Sequence, residues 1–125
     1  MDRNLQLLGI AKKAGLLAIG AEAVSVAARG GRISLIVNAK DASAGALRRA
    51  RSNAQYCGAA HITAPYTMFE IGYVIGRGSP GTIAILDAGL AAGFTRGLAE
   101  NDPGRGTGTA EQLGALEKRG RRTEQ

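Results

Sequence analysis

Cys57 and His61 stand four residues apart, a thiol and an imidazole of the types that nucleophilic catalysis uses, and each is the only residue of its kind in the chain. A thiolate–imidazole pair needs a third group to orient the ring, and a metal site needs three or four ligands. One cysteine and one histidine supply neither. Cys57 falls where it extends the apolar spacing Leu47, Ala50, Ala54, which makes it a small buried hydrophobe. His61 falls in a short strand-like run, where sheet neighbours satisfy an imidazole. The carboxylates Asp2, Glu22, Asp41, Glu70, Asp87 and Glu100 are scattered singly, and Asp41, Glu70 and Asp87 occupy helix-capping positions. No catalytic residue, metal or cofactor is expected from these groups.

Phosphate chemistry has two candidates. Gly76-Arg77-Gly78-Ser79-Pro80-Gly81 matches the Gly-x-Gly-x-x-Gly spacing with which a strand-to-helix loop cradles a pyrophosphate. Here the order is reversed: a helical pattern precedes the glycines, a strand follows them, and Pro80 sits where the binding helix should begin. A helix-to-strand loop accounts for the run without a dinucleotide. Gly20-Ala21-Glu22 is different, because a glycine-led helix start leaves backbone N–H groups open to a phosphate. Glycine is also an ordinary cap, so this signal alone assigns nothing.

The elements that must position these residues alternate between helical and strand periodicity. Leu5, Leu8 and then Leu7, Ala11, Ala14 recur at spacings of three and four over residues 2–14, a helix closed by Gly15. Residues 16–19 form a short strand, and a second helix carries Val24, Ala27 and Ala28 up to Gly30-Gly31. Ile33 to Val37 is a β-branched run typical of a strand covered on both faces. Asp41 and Ser43 offer caps to a helix with Leu47, Ala50, Ala54 and Cys57 inward and Arg48, Arg49 and Ser52 outward. Residues 60–63 form a third strand, Thr67 and Glu70 a capping box for a helix through Phe69, Ile71, Val74 and Ile75. Residues 82–86 form a buried strand, and Asp87 caps a last helix with Leu90, Phe94 and Leu98 on one face. The order α-β-α-β-α-β-α-β-α predicts an α/β fold with helices on both sides of a sheet.

The chain has 125 residues, with sixteen Lys and Arg against ten Asp and Glu, a formal charge of +6. Eleven basic and six acidic residues fall within residues 1–100, so the positive charge belongs to the folded part and points to a polyanion such as RNA. The length fits one domain over residues 1–99, followed by a flexible polar tail over residues 100–125, where Gly, Arg and Thr alternate. The lone cysteine precludes an internal disulfide and suits a reducing compartment. The charge-free stretches at residues 14–21 and 42–47 are far shorter than the ~20 apolar residues of a membrane span. The first residues lack a signal-peptide pattern, so a cytoplasmic, unprocessed monomer is expected.

Four blocks resemble a known family. These are Leu7-Leu8-Gly9-Ile10-Ala11-Lys12-Lys13-Ala14-Gly15, Gly20-Ala21-Glu22-Ala23-Val24, Leu35-Ile36-Val37-Asn38-Ala39-Lys40-Asp41-Ala42-Ser43 and Ile83-Ala84-Ile85-Leu86-Asp87-Ala88-Gly89-Leu90-Ala91. In register over residues 1–98, they resemble the kink-turn RNA-binding ribosomal-protein superfamily typified by the archaeal L-seven-Ae protein. The similarity is to its bacterial stand-alone members, often encoded among translation and transcription-elongation genes. The resemblance implies a three-layer α/β/α sandwich with a mixed four-stranded sheet and no catalytic centre. It also implies a ribonucleoprotein role, in which a sharply bent RNA is clasped between the start of the second helix and the loop before the last strand. Those segments match Gly20, Ala21, Glu22, Ala23 and Val26, and Gly76, Arg77, Gly78 and Ser79, with Lys12 and Lys13 as further backbone contacts.

The chain departs from the family's Gly-x-Asn-Glu-x-x-Lys pattern. Glu22 stands at the Asn, Ala23 at the Glu and Val26 at the Lys, so the base-reading amide, an acceptor and a cation are replaced. Only Gly20 is retained. The competing expectation is a protein–protein adaptor on the same fold, using the neutral surface from Leu16 to Val26 for a ribosomal or other protein partner.

Overall fold

The computed structural model describes residues 2–76 and 78–101. Arg77, and the expected tail from residue 102 onward, lie outside the described residues. The elements follow the anticipated order: α1 (Arg3–Lys13), β1 (Leu17–Ile19), α2 (Ala21–Arg29), β2 (Leu35–Asn38), α3 (Ala44–Cys57), β3 (Ala60–Thr63), α4 (Met68–Ile75), β4 (Thr82–Ile85) and α5 (Ala88–Asn101). Helix α5 runs past the boundary expected at residue 100, and Glu100 is helical.

Side-chain caps explain most helix starts. Asp2 Oδ1 accepts from Asn4 N–H at 2.7 Å, Ser43 Oγ from Ala46 N–H at 3.1 Å and Asp87 Oδ2 from Leu90 N–H at 2.9 Å. Thr67 and Glu70 form the reciprocal capping box at the start of α4. Each such cap contributes about 1 kcal/mol. Asp41 departs from expectation: its carboxylate accepts from Met68 N–H at 2.8 Å, so it serves α4 and leaves α3 to Ser43. The cause is the path of the chain after β2, where Lys40 N–H donates to the Tyr66 carbonyl and ties this loop to the approach to α4.

The sheet order is β1-β4-β2-β3, with β4 antiparallel to both β1 and β2, and β2 parallel to β3. Alternation along the strands divides the core. Leu35 and Val37 of β2 and Ile83 and Ile85 of β4 pack with Leu8, Ile71, Ile75 and Phe94 of α1, α4 and α5. Ile36 and Ala84 face the other way, onto Val24, Ala27, Ala28, Ala50 and Ala54 of α2 and α3. The molecule is therefore a three-layer α/β/α sandwich on a mixed four-stranded sheet. The alanines of the second layer let α2 and α3 approach the sheet closely, while Phe94 supplies the aromatic bulk of the first.

Two expectations shift. β2 begins at Leu35 and extends to Asn38, a residue with no solvent exposure. Phe69 does not join the apolar face of α4: Ile71 and Ile75 share the buried face, while Phe69 and Tyr73, also one turn apart, lie on the opposite side and are exposed. Asn4, on the first turn of α1, is buried because its Nδ2 donates to the Phe94 carbonyl at 3.0 Å. That bond fastens α1 to α5.

Candidate nucleic-acid interface

Gly20 closes β1 and opens α2. Its φ of +94° and ψ of 155° fall where side-chain-bearing residues are strained, so the sharp turn from strand to helix requires glycine. No side chain caps α2, in contrast to the other four described helices. The first-turn N–H groups of α2 therefore lack a capping partner. Glu22, Ala23 and Val26 are exposed, and Gly20 and Ala21 are half-buried. Glu22 there interacts favourably with the helix dipole but would meet an incoming phosphate as a like charge.

The loop before β4 reaches the same end of the sheet. Gly20 N–H donates to the Thr82 carbonyl at 2.9 Å, and Ile19 pairs with Ile83, so the start of α2 and the residues entering β4 are joined through the backbone. Gly76 ends α4 at φ +68° and Gly78 has φ +53°, which explains the glycines by backbone geometry. The loop folds back onto α4 so closely that a methyl group on Gly72 would overlap the Gly78 carbonyl oxygen. At the loop's other end, Asn38 Nδ2 donates to the Gly81 carbonyl at 3.0 Å and to Thr82 Oγ1 at 2.9 Å.

Lys12 and Lys13 are placed elsewhere. They end α1, at the opposite end of β1 from Gly20, a separation of about 10 Å along a three-residue strand. Both are exposed and line an open groove of ≈ 520 Å³ between α1 and α4, with Gln6, Ile10, Tyr73 and Gly76. Gly76 belongs to both features. Thus Gly20, Ala21, Glu22, Ala23 and Val26 form one cluster with the entry to β4, while the two lysines approach the loop from its α4 side.

No protein-family model matches the chain, and no curated protein matches it. Its fold is similar to a solved structure described as a protein of unknown function from Bacillus halodurans C, with a TM-score of 0.71 and 22% sequence identity. The match covers 78% of this chain and 98% of that one. At that identity the likeness establishes the architecture, which the strand order and the layering already display.

The structure adds cations that the sequence patterns did not assign to the site. Lys40 is exposed immediately after β2, where Ala39 N–H donates to the Gly81 carbonyl at 3.0 Å. It places a cation beside the loop entering β4. The strand ending at Asn38 was the available signal. On α3, Arg48, Arg49 and Arg51 are exposed with no acidic residue in the helix, and Arg49 Nε donates to Ser25 Oγ at 3.2 Å. Among the described residues, no group of three or more His, Cys, Asp or Glu is arranged to hold a metal ion, and no helix is long and apolar enough to cross a membrane.

His61 buttresses the loop through Asn38. Its Nε2 faces Asn38 Oδ1, an acceptor because the amide nitrogen is committed to Gly81 and Thr82, so the ring nitrogen donates. Burial, followed by the nearby Arg51 charge, pushes the imidazole pKa below its ordinary 6.5. The unfolded chain therefore takes up a proton near pH 6.5 that the folded chain resists, and stability present above that pH is lost as pH falls through it towards the folded pKa. Melting temperature is expected to drop more between about pH 7.5 and pH 5 for the wild type than for His61→Gln, which retains a donor but cannot titrate. Equal drops would remove His61 from the account of acid sensitivity.

Proposed function

We propose that this protein binds structured RNA of the sharply bent kink-turn type, as a non-catalytic component of a bacterial cytoplasmic ribonucleoprotein tied to translation. The observation that carries this reading is the joining of two separate segments, the uncapped start of α2 at Gly20 and the loop entering β4, by the Gly20 N–H to Thr82 bond. Backbone N–H groups and glycine-rich loops suit phosphates and splayed nucleotides, and the basic residues supply the matching charge. Gly20, Ala21, Gly76, Gly78 and Ser79 form the backbone platform. Lys40 stands beside it, and Lys12 and Lys13 flank it. Glu22, Ala23 and Val26 occupy the positions where side chains read bases, and they make this a weaker reader than the family pattern describes. Reverse-charge contacts on the protein's basic surface set the affinity, so binding of a kink-turn RNA is expected to fall steeply with salt. The slope of log affinity against log salt should be about −0.7 to −0.9 per phosphate contacted. A titration between 50 and 300 mM salt checks it, and a flat line would argue for a protein partner instead.

The adaptor surface is narrower than its sequence span. Of residues 16–26, Glu22, Ala23 and Val26 are exposed, while Leu16 to Ile19 are half-buried. Its apolar exposure thus reduces to Ala23 and Val26.

A further inference from the structure

We propose that the α1–α4 groove is a second RNA site, one that takes an unpaired nucleotide by stacking its base on Tyr73. The chain has five aromatic residues, and three of them, Tyr56, Phe69 and Tyr73, are more than two-thirds exposed. Phe is among the residues most often buried and Tyr is intermediate, and an exposed ring with a wet edge is suited to contact a partner. Tyr73 lines the groove at 68% exposure, and Ile10 faces the same space from α1 at 57%. Phe69 lies one helical turn before Tyr73 on α4 and is 73% exposed, which extends the aromatic surface along that helix. Lys12 and Lys13 complete one rim, Gln6 adds an amide, and among the described residues no acidic side chain lines the groove. Stacking ring, base-edge amide and phosphate-facing cations are the three parts of a nucleotide site.

The charge decides between occupants. A groove with two lysines and, among the described residues, no carboxylate suits a polyanion; of its apolar lining Ile75 is buried and Val74 half-buried, so it exposes chiefly Tyr73 and Ile10 rather than the continuous strip that an amphipathic helix needs. Its position matters as well, because Gly76 lines the groove and also begins the loop entering β4. An RNA held at the first site would run its single-stranded flank past the lysines. This inference takes RNA as the partner from the reading above, but it needs no kink.

The test uses the full chain and a fluorescently labelled six-nucleotide oligoadenylate at low salt, read by anisotropy. Binding is expected in the wild type and should weaken roughly 5- to 150-fold in Tyr73→Leu, the range that loss of a stacked base produces. Tyr73 is exposed, so the variant should keep the wild-type circular dichroism, and its binding of a blunt-ended kink-turn duplex should stay within about twofold. Failure of wild-type chain to bind the oligonucleotide, or equal binding by Tyr73→Leu, would overturn the proposal. So would a glutamate-rich amphipathic peptide that competes the oligonucleotide off and binds more tightly in a Tyr73-dependent way. If the oligonucleotide binds through Tyr73 while no kink-turn RNA binds, the groove stands and the kink-turn reading falls.

Discussion

Gly72→Ala is expected to unseat the loop entering β4 and lower both stability and RNA affinity. The added methyl would overlap the Gly78 carbonyl oxygen and stand 2.8 Å from its carbonyl carbon, and both atoms belong to backbone, so the loop itself must move. Overpacking of this kind costs about 1–3 kcal/mol, occasionally more, and the gain of up to about 1 kcal/mol from replacing a helical glycine does not offset the upper part of that range. Overlap with backbone places the cost in that upper part, a net loss of about 1–2 kcal/mol, so for a domain of this size the melting temperature should fall by roughly 5–15 °C. Gly93→Ala provides the contrast. It also lies inside a helix, but its methyl would meet only Leu7 Cδ2 at 4.0 Å, an ordinary contact, so it should raise stability by up to about 1 kcal/mol. Thermal melts of the two variants, with kink-turn affinity measured on each, separate a local clash from a general effect of alanine. If Gly72→Ala melts and binds as the wild type does, the loop is not packed on α4 as described.

Installing the side chains of the kink-turn-binding pattern that the chain resembles should raise affinity. The triple variant Glu22→Asn, Ala23→Glu, Val26→Lys supplies an amide for a base edge, an acceptor beside it and a cation for phosphate. All three positions are exposed, Val26 at 50%, so the fold should tolerate them. A well-placed base contact contributes ~1–3 kcal/mol, which corresponds to roughly 5- to 150-fold in affinity. Titration of a labelled kink-turn RNA against wild-type and triple-variant protein reads this directly. Unchanged binding with an intact fold would mean that the turn at Gly20 does not present α2 to RNA. A wild type that already binds as tightly as the triple variant would mean that Glu22, Ala23 and Val26 read RNA in another way.

The architecture was legible because local periodicity and caps agreed with the final packing. Leu5, Leu8 and Ala11, or Phe94 and Leu98, declare a helix face by spacing alone, and Thr67 with Glu70 declares where a helix begins. Features that depend on distant pairing were not legible. Asn38 closes a strand as a fully buried amide only because Gly81, Thr82 and His61 surround it, and Asp41 caps a helix that starts 27 residues later. The side that Phe69 takes was not legible for a simpler reason. A short helix of eight residues with many apolar positions has no sharply defined inner face until its neighbours are known, and α1 selects Ile71 and Ile75. The two halves of the candidate site were proposed together from a resemblance, whereas the β1–β4 pairing and the Gly20–Thr82 bond that bring them side by side are long-range contacts that spacing does not disclose. The groove between α1 and α4 was invisible for the same reason, since its walls are some sixty residues apart in the chain.

We propose recognition of a bent RNA by the Gly20 turn and the loop entering β4. Its most direct test is competition between a kink-turn RNA and a straight duplex of equal length and charge for the wild-type chain at moderate salt. The kink-turn is expected to bind at least about tenfold more tightly, a difference of ~1.4 kcal/mol, and Gly20→Val to remove the preference. Equal affinity for the two RNAs, or no binding of either, would contradict it.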